Sequence, residues 1–379
     1  MTPDPIPVSD LRAEAEAVLT LALLPGLKLA QARSLLQYYG SGVAALADPH
    51  PPIPLWKELL AQQNKLCEAR DRARRECDFC EEHQIRMIPF TSPDYPRLLK
   101  EDEVNDPPLQ LFYCGTGSLD RPHVLSVVGT RRITEYGKGL CERLIADLSA
   151  LVPDLFVVSG LAYGVDIHAH RAALAAGVDT VAVLAHGLDR IYPSLHRRTA
   201  LEMVRHGGLL TEYISGTVPD KGNFVRRNRI VAGMAHATVV VESAKKGGAL
   251  ITAGLALDYN REVAAFPGRA TDEYSIGCND LIRNSGAALI TSAEDFTKLM
   301  EWDTEQPKAV IRPSLFPELS QEEQAVCDLL GNGEARGIAE MCAALNTPLY
   351  KLSATLFGLE MKNIINRIPG DRIALRKKK

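Results

Sequence analysis

The sequence lacks an apolar run of the roughly 18 residues that a membrane-spanning helix needs, so no membrane span is predicted. It also lacks a basic excess, because 43 Lys and Arg stand against 47 Asp and Glu and give a formal net charge of −4. Any binding of nucleic acid must therefore come from a local basic surface. The N-terminal stretch is acidic and polar, unlike a signal peptide. The 8 cysteines have no framework spacing, which predicts reduced thiols and a cytoplasmic location.

The composition is that of a globular protein, with 46% hydrophobic and 24% charged residues. A length of 379 residues suits two or three domains. Changes in pattern along the chain predict four parts: a helical domain over 1–75, an α/β domain over 85–300, a proline-containing linker over 301–319 and a C-terminal domain over 320–379. In the first part, Pro25-Gly26 separates two periodic apolar stretches. This is similar to a helical hairpin that contacts DNA phosphates, or it is a plain packing module.

Between residues 85 and 300, short β-branched or Leu-rich runs alternate with helical patterns. The runs show little polar alternation, as is typical of strands buried on both faces. The alternation predicts an α/β fold, with a mostly parallel sheet flanked by helices on both sides. The predicted strands are Val124–Val128, Leu155–Ser159, Thr180–Leu184, Leu209–Thr211, Thr238–Val241, Val263–Phe266 and Ala288–Ile290. The predicted helices are Tyr136–Leu151, Val165–Ala176, Ser194–His206, Val225–Met234 and Ile251–Asn260.

The last block, 320–379, has the pattern of a winged helix-turn-helix, with three amphipathic helices and two strands around Pro369-Gly370. From Met361 to the C-terminus, seven Lys and Arg accompany a single acid, Asp371. A basic wing of this kind favours phosphate contacts with duplex DNA. Its third helix offers few base-reading side chains, however, so a protein contact or a solvated basic tail explains the pattern equally well.

Four glycine-rich loops follow predicted strands. They begin at Gly129, Ser159, Ala185 and Lys245. Because the carboxyl ends of parallel strands meet at one edge of a sheet, these loops are expected to converge there and to read phosphate. No G-x-x-x-x-G-K-[ST] loop or G-x-G-x-x-G turn is present, so no nucleotide cofactor is predicted. Cys77, Cys80 and His83 have half the spacing of a zinc site without a second pair, and an ordinary helix face is the preferred interpretation.

The segment from Lys221 to Ile230 carries the most specific signal. It combines four cations, at 221, 226, 227 and 229, with the single aromatic residue Phe224. With Asn223 as N-cap, Phe224 would stand at the helix start and be exposed. A ring that stacks on a base, flanked by cations that hold phosphates, is typical of sequence-independent binding to single strands. Alternatively, the cations form a solvated face and Phe224 belongs to the core.

A series of short motifs runs through the central block: Pro93-Asp94-Tyr95-Pro96, Asn105-Asp106-Pro107-Pro108, Val128-Gly129-Thr130-Arg131, Ser159 to Asp166, Gly187-Leu188-Asp189, Phe224 with Arg226 to Ile230, Lys246 to Thr252, Phe266-Pro267-Gly268, and Gly277-Cys278-Asn279 with Leu281-Ile282. In content and in order, these motifs resemble those of the bacterial DNA-processing protein A family (DprA, also called Smf). The resemblance covers residues 95–296 with a short lead-in, and the terminal blocks match the three-domain members of the family more loosely.

The resemblance implies an extended Rossmann-like fold. It also implies that the protein binds single-stranded DNA, dimerises, protects DNA taken up in natural transformation and helps load the RecA recombinase onto it. It implies no enzymatic activity, cofactor or metal. The loop at Lys246 lacks two hydroxyls that are usual in the family, which leaves backbone N–H groups as its donors. Together with the pattern of charges, the resemblance gives the predicted DNA-binding residues: Gly129, Thr130, Arg131, Lys221, Phe224, Arg226, Asn228, Arg229, Lys246 and Gly247.

A rival hypothesis is an enzyme, a phosphoribohydrolase acting on nucleoside monophosphates. That class resembles this chain in its Rossmann core and its glycine-rich phosphate loops, and its fingerprint P-G-G-x-G-T-x-x-E ends in a catalytic glutamate. Here the Lys246 loop is followed by no acid before Asp258, and Glu242 precedes the loop. Binding to single-stranded DNA is therefore the preferred prediction.

Overall fold

The structure, a computed structural model, describes residues 8–302, 319–331, 335–362, 364–368 and 371–375. The chain divides into two compact units, Met1–Thr304 and Glu305–Lys379. Most of the linker predicted at 301–319 lies outside the described residues. None of the described helices has the length and hydropathy required to cross a bilayer.

The first unit begins with helices that pack together and against the sheet domain. Gly26, with a φ of 94°, makes the turn between the first two helices. The buried carboxylate of Glu14 accepts hydrogen bonds from the backbone N–H of Gly42 at 2.8 Å and from the hydroxyl of Thr91 at 2.7 Å. This carboxylate therefore joins the helices to the loop that follows the first strand. The helices are α1 (Val8–Leu23), α2 (Leu29–Tyr39), α3 (Gly42–Ala47), α4 (Pro54–Ala61) and α5 (Gln63–Glu82).

In the described part of this unit, nine strands form one sheet in the order β1-β2-β6-β5-β4-β3-β7-β8-β9. The seven strands from β3 to β9 are parallel, which confirms the predicted α/β class. The sequence prediction missed β1 and β2, which extend the sheet at one edge beyond β6, with β2 antiparallel to both of its neighbours. The strands are β1 (Arg86–Pro89), β2 (Gln110–Gly115), β3 (His123–Val128), β4 (Leu155–Ser159), β5 (Asp179–Val183), β6 (Gly207–Thr211), β7 (Ala237–Val240), β8 (Glu262–Ala265) and β9 (Ala288–Leu289).

Helices cover both faces of the sheet, because its strands are apolar on both sides. Helices α7, α8 and α13 bury residues such as Leu144 and Phe296 on one face. Helices α10 and α11 bury residues such as Ile230 and Ala253 on the other. The helices are α6 (Arg97–Lys100), α7 (Glu135–Leu151), α8 (Val165–Ala175), α9 (Arg197–Met203, after a 3₁₀ turn at Ser194–His196), α10 (Lys221–Gly233), α11 (Gly248–Asp258), α12 (Ile276–Arg283) and α13 (Ala293–Met300).

Strand β3 lies where the strand order reverses. Ser126 of β3 pairs with Val158 of β4 on one side and with Thr238 of β7 on the other. The chain runs from β3 to β4 in one direction along the sheet and later returns to β7 in the other. In an open parallel sheet, a crevice forms at the carboxyl ends of the strands where this reversal occurs. The loops after β3, β4 and β7 therefore meet around one opening.

The described residues of the second unit form three helices and a small antiparallel sheet, as the winged-helix pattern predicts, with β10 as a strand that the pattern does not include. Its core includes Val326, Met341 and Leu356, one from each helix. The strand order is β10-β12-β11. The elements are α14 (Gln321–Leu330), β10 (Arg336–Gly337), α15 (Ile338–Ala344), α16 (Leu349–Met361), β11 (Ile365–Ile368) and β12 (Arg372–Leu375).

Candidate nucleic-acid interface

A cleft of about 750 Å³ opens at this reversal of strand order. Its wall is formed by the loops after β3, β4 and β7, by the segment between β5 and α9, and by the helices α8, α10 and α11 with the residues just before α10. Eight of the ten predicted DNA-binding residues line it: Gly129, Thr130, Arg131, Lys221, Phe224, Asn228, Lys246 and Gly247. The tertiary structure thus brings together residues that are more than a hundred positions apart in the sequence.

Glycines allow the loops after β3 and β4 to approach each other closely. Gly164 has a φ of 77°, and a Cβ atom on it would lie 2.1 Å from the carbonyl oxygen of Thr130. The N–H of Val165 donates a hydrogen bond of 3.1 Å to that same oxygen. A side chain at 164 would therefore displace the loop that carries Arg131.

Phe224 lies on α10 with its ring half-buried between two other side chains. The guanidinium carbon of Arg131 is 5.3 Å from the centre of the Phe224 ring. The ring of Tyr192 is 5.8 Å away on a different loop and is 45% exposed. Phe224 is thus neither sealed in the core nor fully exposed. Its position allows a flat apolar group to enter beside it.

The start of α10 differs from the prediction. The N-cap is Asp220, whose carboxylate accepts a hydrogen bond of 2.7 Å from the N–H of Gly222. Helix α10 therefore begins at Lys221, and the expectation that Asn223 caps it is wrong. Asp is as good an N-cap as Asn, so local preference alone does not decide between the two. As a consequence, Phe224 is the fourth residue of the helix.

Three exposed cations surround the opening: Arg131, Lys221 and Lys246. None of them forms an ion pair with a residue that the structure describes. Gly247 is the N-cap of α11, so the unpaired N–H groups and the positive end of the helix dipole lie at the same wall. Side-chain and backbone donors together make this wall suited to phosphate.

The floor of the cleft contains a buried guanidinium group that the sequence prediction left out of the site. Arg227 donates hydrogen bonds to the carbonyl oxygens of Gly160, at 2.7 Å, and Val183. Burial lowers the pKa of Arg227. Burial also raises the pKa of the neighbouring Asp166 carboxyl, and the positive charge of Arg227 opposes that shift. Arg227 therefore ties together the ends of β4 and β5.

Two predicted DNA-binding residues lie outside the cleft. Arg229 is buried, with its side chain only 4% exposed, and it contacts Glu212 at 2.5 Å and Asp106 at 3.1 Å. Arg226 lies 3.6 Å from the same Glu212. The assignment of these two arginines to the cleft is therefore corrected. The reason is the helical period of 3.6 residues, which places positions 226 and 229 on a different face from 221, 224 and 228.

Tyr192 is a cleft residue that sequence reasoning missed. It lies in the segment between β5 and α9, beyond the glycine-rich stretch that begins at Ala185. The sequence signal for it is an aromatic residue in a strand-to-helix connection, at the edge of the sheet where the parallel strands have their carboxyl ends.

The candidate zinc residues belong to an ordinary helix and its end. Cys77 and Cys80 are buried in α5, and burial raises the pKa of Cys77 to about 11. His83 lies at the helix end, where its Nδ1 is 2.9 Å from the carbonyl oxygen of Phe79. Among the described residues, no cluster of His, Cys, Asp and Glu suited to a metal ion is found.

In the second unit, α16 is the helix that would face a duplex. Of its candidate base-reading residues, Lys351 is paired with Glu322 at 2.7 Å. Tyr350 and Phe357 are exposed seven positions apart, on one face of the helix. This exposed aromatic face resembles a protein-binding surface more than a polar surface that reads bases.

Comparison with known proteins shows the family of this chain. The family model for DNA recombination-mediator protein A matches residues 86–301, more than half of the chain. The chain belongs to this family. Protein Smf of Escherichia coli is 32% identical over 305 residues, covering 78% of this chain and 79% of that protein. The putative DNA processing protein DprA of Mycobacterium tuberculosis is 42% identical over 232 residues, which is 60% of this chain and 59% of that relative.

Two solved structures of family members are also similar. DNA processing protein A of Streptococcus pneumoniae has a TM-score of 0.64 and 31% identity, and the match covers 75% of this chain and 97% of that one. DNA processing protein A of Helicobacter pylori, described for its single-stranded DNA binding mode, has a TM-score of 0.52 and 29% identity over 59% of this chain and 98% of that one.

Proposed function

We propose that this chain binds single-stranded DNA in the cleft without sequence preference. The observation that carries the proposal is the half-buried Phe224 ring, which lies between Arg131 and Tyr192 in an opening lined by unpaired cations. A ring stacks on any base, and cations hold any phosphate, so this combination binds strands irrespective of sequence. The single-stranded DNA binding described for the Helicobacter pylori relative supports the same conclusion.

An unpaired strand fits this cleft better than a duplex does. Stacking on Phe224 requires a base whose face is free, and a base in a duplex is covered on both faces by its neighbours. Reading a duplex requires a helix or strand that enters a groove with several polar side chains. Here the glycine-rich loops and α11 present backbone N–H groups, which suit the phosphates of a strand held in the opening.

Further parts of the proposal rest on the family. We infer that the bound strand is protected from nucleases and is passed to the RecA recombinase, and that the chain acts as a homodimer. Sedimentation of the purified chain would test the dimer. A strand-exchange reaction in which RecA competes with a single-strand-binding protein would test the transfer. We expect the cleft variants described below to lose the transfer of the strand to RecA while they still form the dimer.

Catalysis on nucleoside monophosphates is the alternative that the experiment must exclude. The buried carboxylate of Glu242 accepts hydrogen bonds from the N–H of Thr134 at 2.9 Å and from its hydroxyl, so it holds in place Thr134, the N-cap residue of α7. Incubation with adenosine monophosphate, followed by chromatography for free adenine, would detect the activity. Release of adenine at catalytic turnover would contradict the proposal of a pure binding function.

The direct test is a fluorescence anisotropy titration with a labelled oligothymidylate, competed with unlabelled single strand or duplex of equal length. The triple variant Arg131→Ala, Lys221→Ala and Phe224→Ala should lose binding. Arg75→Ala is the matched control, because Arg75 is exposed on α5 and has no ion pair with a described residue. If the triple variant binds like the control, or if duplex competes better than single strand, the proposal is wrong.

A further inference from the structure

A second surface adjoins the cleft and repeats its chemistry. We propose that a single strand longer than the cleft continues over this surface, which we call the α8–α9 flank. The inference rests on the proposed function and extends it, because it assigns the path of the strand outside the cleft. The flank consists of one ring and three cations: Tyr163, Arg171, Arg197 and Arg198.

The ring is Tyr163, which is 44% exposed and directly follows a residue of the cleft wall, Ala162. Its ring packs edge-on against His196, with ring centres 5.0 Å apart and an angle of 68° between the planes. The buried His196 is itself fixed, because its Nδ1 lies 2.8 Å from the carbonyl oxygen of Leu161. Tyr163 is therefore supported by His196 and partly exposed to solvent, so a base can stack on its exposed part.

The cations lie on the two helices that adjoin Tyr163. Arg197 and Arg198 follow His196 directly and are exposed at the beginning of α9. Arg171 is exposed on α8, and its Nε donates a hydrogen bond of 3.3 Å to the hydroxyl of Thr199. None of the three forms an ion pair with a described residue. Glu202 is the nearest acid along α9, one turn beyond Arg198.

The flank is continuous with the cleft at two points. Gly164, next to Tyr163, packs so closely against the Arg131 backbone that a Cβ atom would lie 2.6 Å from the Cα of Arg131. On the other side, Tyr192 lines the cleft and precedes His196 by four residues. A strand that leaves the cleft beside Arg131 or Tyr192 therefore meets Tyr163 next and the three arginines beyond it.

An acidic protein segment is the competing occupant, because Leu195 and Leu201 are also exposed near these arginines. DNA is favoured because the ring and the unpaired cations repeat the chemistry of the cleft, and because the ring directly follows the cleft-wall residue Ala162. The two occupants make different predictions for binding of long and short oligonucleotides in the absence of any other protein.

The experiment compares oligothymidylates of about 5 and about 15 nucleotides, which span the site sizes usual for single-strand binding folds. Each would be titrated by anisotropy against the full chain and four variants: Tyr163→Ala, the double variant Arg197→Ala with Arg198→Ala, Glu202→Gln, and the control Tyr38→Ala. Tyr38 is an exposed tyrosine on α2 that does not line the cleft.

We expect Tyr163→Ala to weaken binding of the long oligonucleotide by about fivefold or more, as the loss of one stacked base would. The arginine double variant should reduce the salt slope for the long oligonucleotide by about 1.4, which is two phosphates at about 0.7 each. Both variants should bind the short oligonucleotide like the wild type. Glu202→Gln should strengthen binding of the long oligonucleotide, because it removes the nearby negative charge.

Two results would overturn the inference. One is that the flank variants bind the long oligonucleotide as tightly as Tyr38→Ala does. The other is that they weaken binding of both lengths equally, because the residues would then act on the cleft or on folding. In either case, loss of binding by the Arg131, Lys221 and Phe224 variants would leave the proposed function standing. If those variants also bind normally, the proposed function itself fails.

Discussion

Helix α10 carries basic residues on two faces, and their surroundings differ completely. On the cleft face, Lys221 is exposed and has no ion pair with a described residue. On the other face, Arg229 is 4% exposed and lies against the buried carboxylate of Glu212. Within nine positions of one helix, the chain therefore places a cation that is open to a ligand and another that is already neutralised inside the protein.

The comparison shows that a cluster of positive charge in a sequence has no single meaning. A cation is available to a phosphate only if no carboxylate holds it first and if it stays hydrated until the ligand arrives. Arg229 meets neither condition, because Glu212 and Asp106 surround it. Substitutions on the two faces should therefore affect different quantities, stability on one face and DNA affinity on the other.

The largest effect is expected for Arg229→Ala. It would leave the carboxylate of Glu212, which is only 8% exposed, without its closest partner. Breaking a buried pair in this way costs about 3–5 kcal/mol of stability. Urea unfolding would measure the loss. The added change Glu212→Gln should restore part of it, since it removes the unpaired charge, and a double variant no more stable than Arg229→Ala would contradict this explanation.

Phe224→Ala should act on binding and leave stability nearly unchanged. Loss of one stacked base corresponds to about 1–3 kcal/mol of binding free energy. Anisotropy titration at fixed salt would measure it. Phe224→Tyr is the matched control, because it retains the ring and should retain affinity. A variant that unfolds more easily but binds normally would show that Phe224 belongs to the core instead.

Arg131→Ala and Lys221→Ala should weaken binding to every sequence alike. Each removes one phosphate contact, so the slope of log affinity against log salt should fall by about 0.7 per variant. Titrations at several salt concentrations would give the slopes. Lys221→Arg retains the charge and should retain the slope. A change in sequence preference instead of the slope would show that these residues contact bases.

Arg226→Ala should have the smallest effect on both stability and DNA affinity. It completes the comparison between the two faces of α10. Its side chain is 54% exposed and lies 3.6 Å from Glu212. Partly exposed pairs of this kind contribute about 0–1 kcal/mol. We expect nearly unchanged urea unfolding and unchanged DNA affinity. A salt slope that falls as it does for Lys221→Ala would place Arg226 on the path of the strand and require a wider site.

Much of the fold could be predicted because its signals are local. The strand patterns of the parallel sheet, such as Leu155–Ser159, are apolar on both faces and were recognised for that reason. The antiparallel strand Gln110–Gly115 was missed, although residues such as Phe112 and Tyr113 favour a strand. Its assignment depends on pairing with β1 and with β6, and β6 lies far away in the chain.

The residues of the candidate site also divide into those that the local sequence reveals and those that only long-range packing reveals. The glycines and cations of the loops after β3 and β7 were found from the sequence, because residues that follow parallel strands share one edge. Tyr192 and Arg227 were not included, since nothing local distinguishes a tyrosine or arginine at a cleft from one elsewhere. Arg229 was included wrongly, because its partners, Glu212 and Asp106, are distant in sequence.

By itself, the amino-acid sequence determined the sheet class, the family motifs and the edge at which a ligand would bind, since each depends on periodicity or on residues close together in the chain. Only the tertiary structure decided which cations remain free. It brings Arg131 over the ring of Phe224 and closes Glu212 onto Arg229. Whether a charge binds DNA or stabilises the fold depends on its neighbours in space, and long-range packing chooses those neighbours.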